Sequence, residues 1–198
     1  EKDLPLTVDA LLSQAFESFG HCLVGDNVAA MAALQTFLYD RLAGSLREQG
    51  FTSQEVDAVV AQRPQLLAEV PKRLAAVRAF AALPEAAALA AANKRISNIL
   101  KKVPAVDPHV SEILLTEPAE IALNTAMKEV LPKANAQFDA GDYTASLQSL
   151  AALRAPVDAF FEGVMVNADE VDVRLNRQGL LTRLHNAMNR VADLSRLA

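Results

Sequence analysis

The chain has 198 residues with 19 Lys and Arg against 24 Asp and Glu, a net charge of −5, and a pI of about 5.2. Ala and Leu fill 65 positions, Val, Ile and Thr only 29, and there are 7 Gly, one Cys and no Trp. These figures exclude a disulfide-stapled secreted module, an all-β domain and a chain disordered throughout, and they argue against a wholly basic nucleic-acid binder of pI above about 9.

In chain order, Glu1-Lys2-Asp3-Leu4-Pro5 has no basic region followed by an apolar stretch, so no export signal is read there. The missing initiator Met points to a piece of a larger protein. Helices are expected over 7–20, 27–48, 53–62, 71–82, 85–102, 118–139, 143–154, 156–163 and 171–196. Thr52-Ser53-Gln54-Glu55 is a capping box, whose hydroxyl and carboxylate satisfy orphan backbone donors at a helix start. Pro71, Pro84, Pro118 and Pro156 each sit at a helix entry, where a missing N–H costs nothing. Gly50 and Gly141 mark helix ends. Pro132 is expected to kink or split the sixth helix. The most apolar run, Ala86 to Ala92, is far shorter than the roughly 20 residues of a membrane span, and a reducing cytoplasm is the expected compartment. Residues 138–147 look like half of a tetratricopeptide unit, but one copy without a repeat reads as an ordinary helix–turn–helix. No stretch alternates with period two, so the expected fold class is all-α, a multi-helix bundle with no β-sheet.

Charge is unevenly spread. Residues 1–71, 72–102, 103–172 and 173–198 carry −6, +6, −9 and +4. Nucleic-acid binding leaves a local footprint rather than a whole-chain total. In the first basic block, at about 100° per residue, Leu89, Ala92, Ile96, Ile99, Leu100 and Val103 share one face. Lys94, Arg95, Asn98, Lys101 and Lys102 share the opposite one. Four cations and an amide along an exposed strip suit a phosphate backbone. A merely solvated face is the competing reading, although such faces ordinarily interleave acids with bases. In the last helix Val173, Leu180, Leu184, Ala187, Val191 and Leu194 form the buried stripe, with Asn176, Arg183 and Arg190 at seven-residue spacing along its edge. Arg177 sits near the apolar side, and an internal hydrogen-bonding role for it competes with direct RNA contact.

No catalytic residue or metal ligand is expected. His21, His109 and His185 are scattered, and His21-Cys22 is poor spacing for a zinc site. There is no glycine-rich phosphate loop, zinc-protease motif or nucleophile elbow. Glu117, Glu120, Asp169, Glu170 and Asp172 sit at helix starts, where the macrodipole favours acids, and read as caps.

Three runs carry a family resemblance: Ala90-Ala91-Ala92-Asn93-Lys94-Arg95-Ile96-Ser97-Asn98-Ile99-Leu100, then Phe160-Phe161-Glu162-Gly163-Val164-Met165-Val166, then Arg174-x-Asn176-Arg177-x-x-Leu180-Leu181 with Arg190-Val191-Ala192-Asp193-Leu194. In this order the chain resembles the C-terminal region of the bacterial glycyl-tRNA synthetase beta subunit. That region is similar to the all-helical anticodon-binding domain of arginyl- and cysteinyl-tRNA synthetases. The resemblance is strongest over 71–198, the expected anticodon-binding domain, and residues 1–70 resemble the helical segment before it. It departs in two places. The Asp-Ala-Leu-Arg tetrapeptide of the domain class is replaced by Ala151-Ala152-Leu153-Arg154, and Gln178-Gly179 interrupts the last helix, where Gly costs about 1 kcal/mol relative to Ala.

The resemblance implies a non-catalytic, tRNA-holding part of a glycine–tRNA ligase, whose ATP- and Mg-dependent chemistry belongs to an alpha subunit in a tetramer of two alpha and two beta subunits. Glycine tRNA and the alpha subunit are the implied partners, with neither DNA nor membrane. Lys94, Arg95, Asn98, Lys101 and Lys102 would grip the anticodon stem-loop, Asn176, Arg183 and Arg190 would form a second contact line, and Arg177 is a further candidate RNA contact. With aromatics at 5%, Arg planes and the amides of Asn93, Asn98 and Asn176 would read the bases. The alternative is a helical docking module for the alpha subunit or the rest of the beta chain, using residues 1–70 or the small side chains from Leu83 to Ala92.

Overall fold

The computed structural model describes residues 5–22, 25–103 and 107–198, without the side chain of His21. The reading of Glu1–Leu4 lies outside the described residues. Nine α-helices occur among them: α1 Val8–Phe19, α2 Asn27–Glu48, α3 Ser53–Val60, α4 Val70–Ala81, α5 Ala86–Leu100, α6 Pro118–Asp139, α7 Tyr143–Leu150, α8 Arg154–Gly163 and α9 Val171–Met188. Short 3₁₀ turns include Glu112–Leu114, Ala151–Leu153 and Leu194–Leu197. The described residues contain no strand; Thr7 and Leu66 form one isolated bridge.

Local chemistry explains most boundaries. The capping box closes around α3, where Thr52 Oγ1 accepts from Glu55 N at 3.2 Å and Glu55 accepts from Thr52 N at 2.8 Å. A second box opens α6 with Glu117 and Glu120. Glu117 and Glu120 therefore cap α6 as their positions suggested, whereas at the start of α9 Glu170 makes no side-chain cap bond and Asp172 is only an acid in the first turn. α6 and α7 form the expected hairpin, joined through Gly141 at φ 77°. Ser146 Oγ donates to Ala134 O at 2.8 Å, and Ser149 Oγ to Gln137 Oε1 at 2.7 Å.

Three expectations change. α6 runs through Pro132 without splitting. Pro132 and Lys128, whose carbonyl loses its helical partner, are both exposed residues on the solvent side of α6. The helix expected over 143–154 stops at Leu150 and tightens into a 3₁₀ turn before α8, which takes Pro156 into its first turn. The last helix ends at Met188, not near 196. There the Asn189 side chain donates to His185 O at 2.8 Å and accepts from Leu194 N at 3.1 Å. The Arg73 guanidinium then takes the freed carbonyls of Arg190 and Val191, each at 2.9 Å.

One apolar core joins α2 through α9. Ala43 and Leu46 of α2 and Val56 and Val59 of α3 share it with Phe80, Ile96, Leu123, Phe160 and Leu180. It therefore crosses the boundary at residue 70, and Asp193 N donates to Ala58 O at 2.8 Å across the same division. α1 meets α2 through a separate small cluster of Val8, Leu12 and Tyr39.

Candidate nucleic-acid interface

α5 leaves α4 at 111°, and its two faces have opposite fates. Leu89, Ala90, Asn93 and Ile96 are buried. Asn93 exchanges amide hydrogen bonds with Asn189 at 2.8 and 3.2 Å, and Ser97 Oγ lies 3.0 Å from His185 Nε2. These polar pairs fix the rotation of α5. Lys94, Arg95, Asn98, Lys101 and Lys102 are all exposed on the other side, as the helical spacing required.

Lys94, Arg95, Asn98 and Lys102 do more than cover a convex face. Together with Asn167, Arg174 and Gln178 they line a cleft of about 690 Å³ between α5 and α9, floored by Ala91, Ile99 and Val103. The lining holds four cations and three amides and not one carboxylate. Lys94 Nζ also donates to Ala198 O at 3.4 Å. Lys101 lies around the helix, lining a neighbouring cleft with His185 and Asp193. Burial, then the nearby Lys101 charge, pushes the His185 imidazole below its ordinary range, while Asp193 opposes this.

Arg174 was not among the predicted contacts, although it stands in the third of the familiar runs. Its Nη1 donates to Ala168 O at 2.7 Å, which ties the start of α9 to the loop before it and turns the guanidinium along the cleft. Its signal in the sequence was spacing: Arg174 and Gln178 are one turn apart on the face opposite Lys94 and Lys102.

The second contact line does not assemble as a line. Asn176 is buried and clamps the backbone of Ser111, accepting from its N at 2.7 Å and donating to its O at 3.0 Å. Arg177 is 7% exposed, ion-paired through Nε to the fully buried Glu120, and donates from Nη1 to Met165 O at 2.7 Å. Its internal role is thus the one realised. Arg190 falls beyond the end of α9, bound to Asn135 at 2.7 Å and Asp139 at 2.9 Å and stacked 4.0 Å from the Phe138 ring centroid. Arg183 is half-buried and does not line the cleft. The heptad spacing failed because the helix ends before Arg190 and because α9 is buried almost all round from Asn176 to Leu181.

Gly179 is likewise not a weak point. A Cβ there would lie 2.7 Å from His109 O and 2.9 Å from Asp107 O. α9 stays continuous through it, and the chain beyond α5 lies against it at backbone contact. Gly179 and Asn176 together hold residues 107–111 on α9.

Among the described residues no three His, Cys, Asp or Glu come together. With no carboxylate in the cleft, its donor set does not fit a magnesium ion. No single described helix is long and apolar enough to cross a membrane.

An all-helical unit presenting a basic, amide-rich cleft is the architecture expected of a helical tRNA-binding domain, and comparison agrees. A family model described as the DALR anticodon binding domain matches residues 89–194, from α5 to the final turn. The chain belongs to this anticodon-binding domain family, and the match holds without the tetrapeptide that names it. Over its whole length it is 72% identical to the glycine–tRNA ligase beta subunit of Polaromonas naphthalenivorans, 66% to that of Acidovorax sp. strain JS42 and 62% to that of Dechloromonas aromatica. It spans only 27–28% of the length of these relatives.

Proposed function

We propose that the chain is the anticodon-binding part of a glycine–tRNA ligase beta subunit and holds the anticodon stem-loop of glycine tRNA against α5 and α9. One observation carries the reading: the α5–α9 cleft gathers Lys94, Arg95, Lys102 and Arg174 with three amides and excludes every carboxylate. Cations on such a wall neutralise phosphates and fix register, and the amides and the Arg plane are left to meet unstacked bases. Lys101 extends the strip along α5, and Arg183 is a peripheral contact. The acidic remainder of the chain repels tRNA from other faces.

In this reading the unit works in the cytoplasm and binds no catalytic cofactor itself. ATP-dependent glycylation, with its Mg, falls to the rest of an enzyme of two alpha and two beta subunits. A gel shift of the intact protein with glycine tRNA and with an anticodon-swapped glycine tRNA tests the reading. A shift by the first that is weakened for the second supports it, and no shift by either at low salt overturns it.

A docking role for residues 1–70 is favoured by one feature. Leu11, Phe19, Val28, Leu34, Phe37 and Leu38 of α1 and α2 are exposed large apolar side chains, in a segment outside the family match.

A further inference from the structure

The Phe160-Phe161 pair marks one of the familiar runs, yet contact with phosphates gives it no task. Phe160 is fully buried in the core at 0% exposure. Phe161 stands edge-on to it, with ring centroids 5.5 Å apart and planes at 81°. The Arg95 guanidinium lies 4.3 Å from the Phe161 centroid. A series of ring and guanidinium contacts thus runs from the core to the lip of the cleft and ends in a planar cation. Arg41 and Arg63 lie over Phe37 and Tyr39 away from this cleft, and Arg73, Arg78 and Arg190 stack on rings while ion-paired to Glu69, Glu55 and Asp139 respectively. Arg95 differs in facing a cleft that no carboxylate lines.

We propose that Arg95, held flat by Phe161, is the stacking platform for one unpaired nucleotide seated in the α5–α9 cleft, with Phe161 as its positioning residue. The base lies on the guanidinium face turned away from Phe161. Its phosphate sits between Lys94 and Lys102, and its edge turns toward Asn98, Asn167 and Gln178. Arg planes stack on unpaired bases much as aromatic rings do, and an Arg already stacked on a ring loses little further freedom when a base is added. A cleft of about 690 Å³ is within the usual range for small ligands, and its donor-rich wall suits base edges that present acceptors. This inference rests on the tRNA-binding reading above.

The test is fluorescence anisotropy of a labelled glycine anticodon stem-loop with the intact protein and its variants. Arg95→Lys keeps the charge, removes the plane and, being on the surface, leaves folding intact. It is expected to weaken binding roughly tenfold with an unchanged salt slope. Phe161→Leu is expected to do the same, and Phe161→Tyr to bind like the native protein. Against a stem-loop made abasic at the stacked position, the Arg95→Lys loss is expected to vanish. Native-like affinity of Arg95→Lys, or an undiminished loss at every abasic position, overturns the platform. If Lys94→Glu with Lys102→Glu binds normally as well, the tRNA-binding reading itself falls. If that pair is weakened while Arg95→Lys is not, only the platform falls.

Discussion

Glu120 ties α9 to the start of α6 through a buried ion pair, and its replacement by Ala is predicted to be among the most costly single changes. Its carboxylate is fully buried. One oxygen accepts from Arg177 Nε, and the other accepts from the backbone N–H groups of Thr116 and Glu117 at 2.9 Å each. Truncation leaves the Arg177 guanidinium buried with the Met165 carbonyl at 2.7 Å but no counter-charge. Removing one partner of a buried pair costs about 3–5 kcal/mol, and losing the cap of α6 adds about 1 kcal/mol. That is a large share of the roughly 5–15 kcal/mol that holds a domain folded. Glu120→Gln retains a neutral acceptor and is expected to lose less, about 1.5–3 kcal/mol. Glu120→Leu combined with Arg177→Met removes both charges and is expected to cost less than Glu120→Ala alone. Urea unfolding followed by circular dichroism at 222 nm measures each variant. A Glu120→Ala loss below about 1 kcal/mol, or a double-variant loss equal to the sum of the singles, would refute the assignment of this pair as the anchor of α9.

Two glycines test the packing at Gly179. Gly44, in α2, has nothing within 4 Å of a built Cβ, so Gly44→Ala is expected to stabilise by about 1 kcal/mol. Gly179→Ala meets two backbone oxygens below 3.0 Å and is expected to destabilise, because overpacking of about 1–3 kcal/mol outweighs the helix gain. Thermal melts of both variants decide, and a stabilising Gly179→Ala would contradict the close approach. Acid unfolding tests Glu55. The Arg78 hydrogen bond holds its carboxyl at about 2, well below the ordinary 4.5. The unfolded chain therefore takes up the proton first. The stability from this pair is complete above pH 4.5 and is lost as pH falls toward 2. Arg78→Met is expected to flatten that dependence; an unchanged acid profile would show that the pair contributes nothing to it.

Local chemistry was legible in the sequence, and long-range satisfaction was not. Caps, entry prolines and the amphipathic division of α5 follow from neighbours within a turn or two, and they reappear in the structure at nearly the expected residues. Both capping-box glutamates could be read as caps. Neither could be read as the acceptor of an arginine, because Arg78 is 23 residues from Glu55 and Arg177 is 57 from Glu120. The end of α9 at Met188 was hidden for the same reason: it depends on Asn93, 96 residues from Asn189, and on Arg73, 117 residues from the Arg190 carbonyl. On the candidate site, the α5 cations were visible as a charge block with no interleaved acid. The opposite wall was obscured because polar residues of α9 face inward as often as outward. Asn176 and Arg177 serve the fold, while Arg174, between the same loop and the cleft, faces the other way.

The central claim is that the α5–α9 cleft binds tRNA through its cations. Equilibrium binding of glycine tRNA over a series of salt concentrations tests it most directly, comparing the native protein with Lys94→Glu combined with Lys102→Glu. The account predicts weaker binding and a salt slope shallower by roughly 0.7–0.9 for each lost phosphate contact. The same affinity and the same slope for both proteins would contradict it.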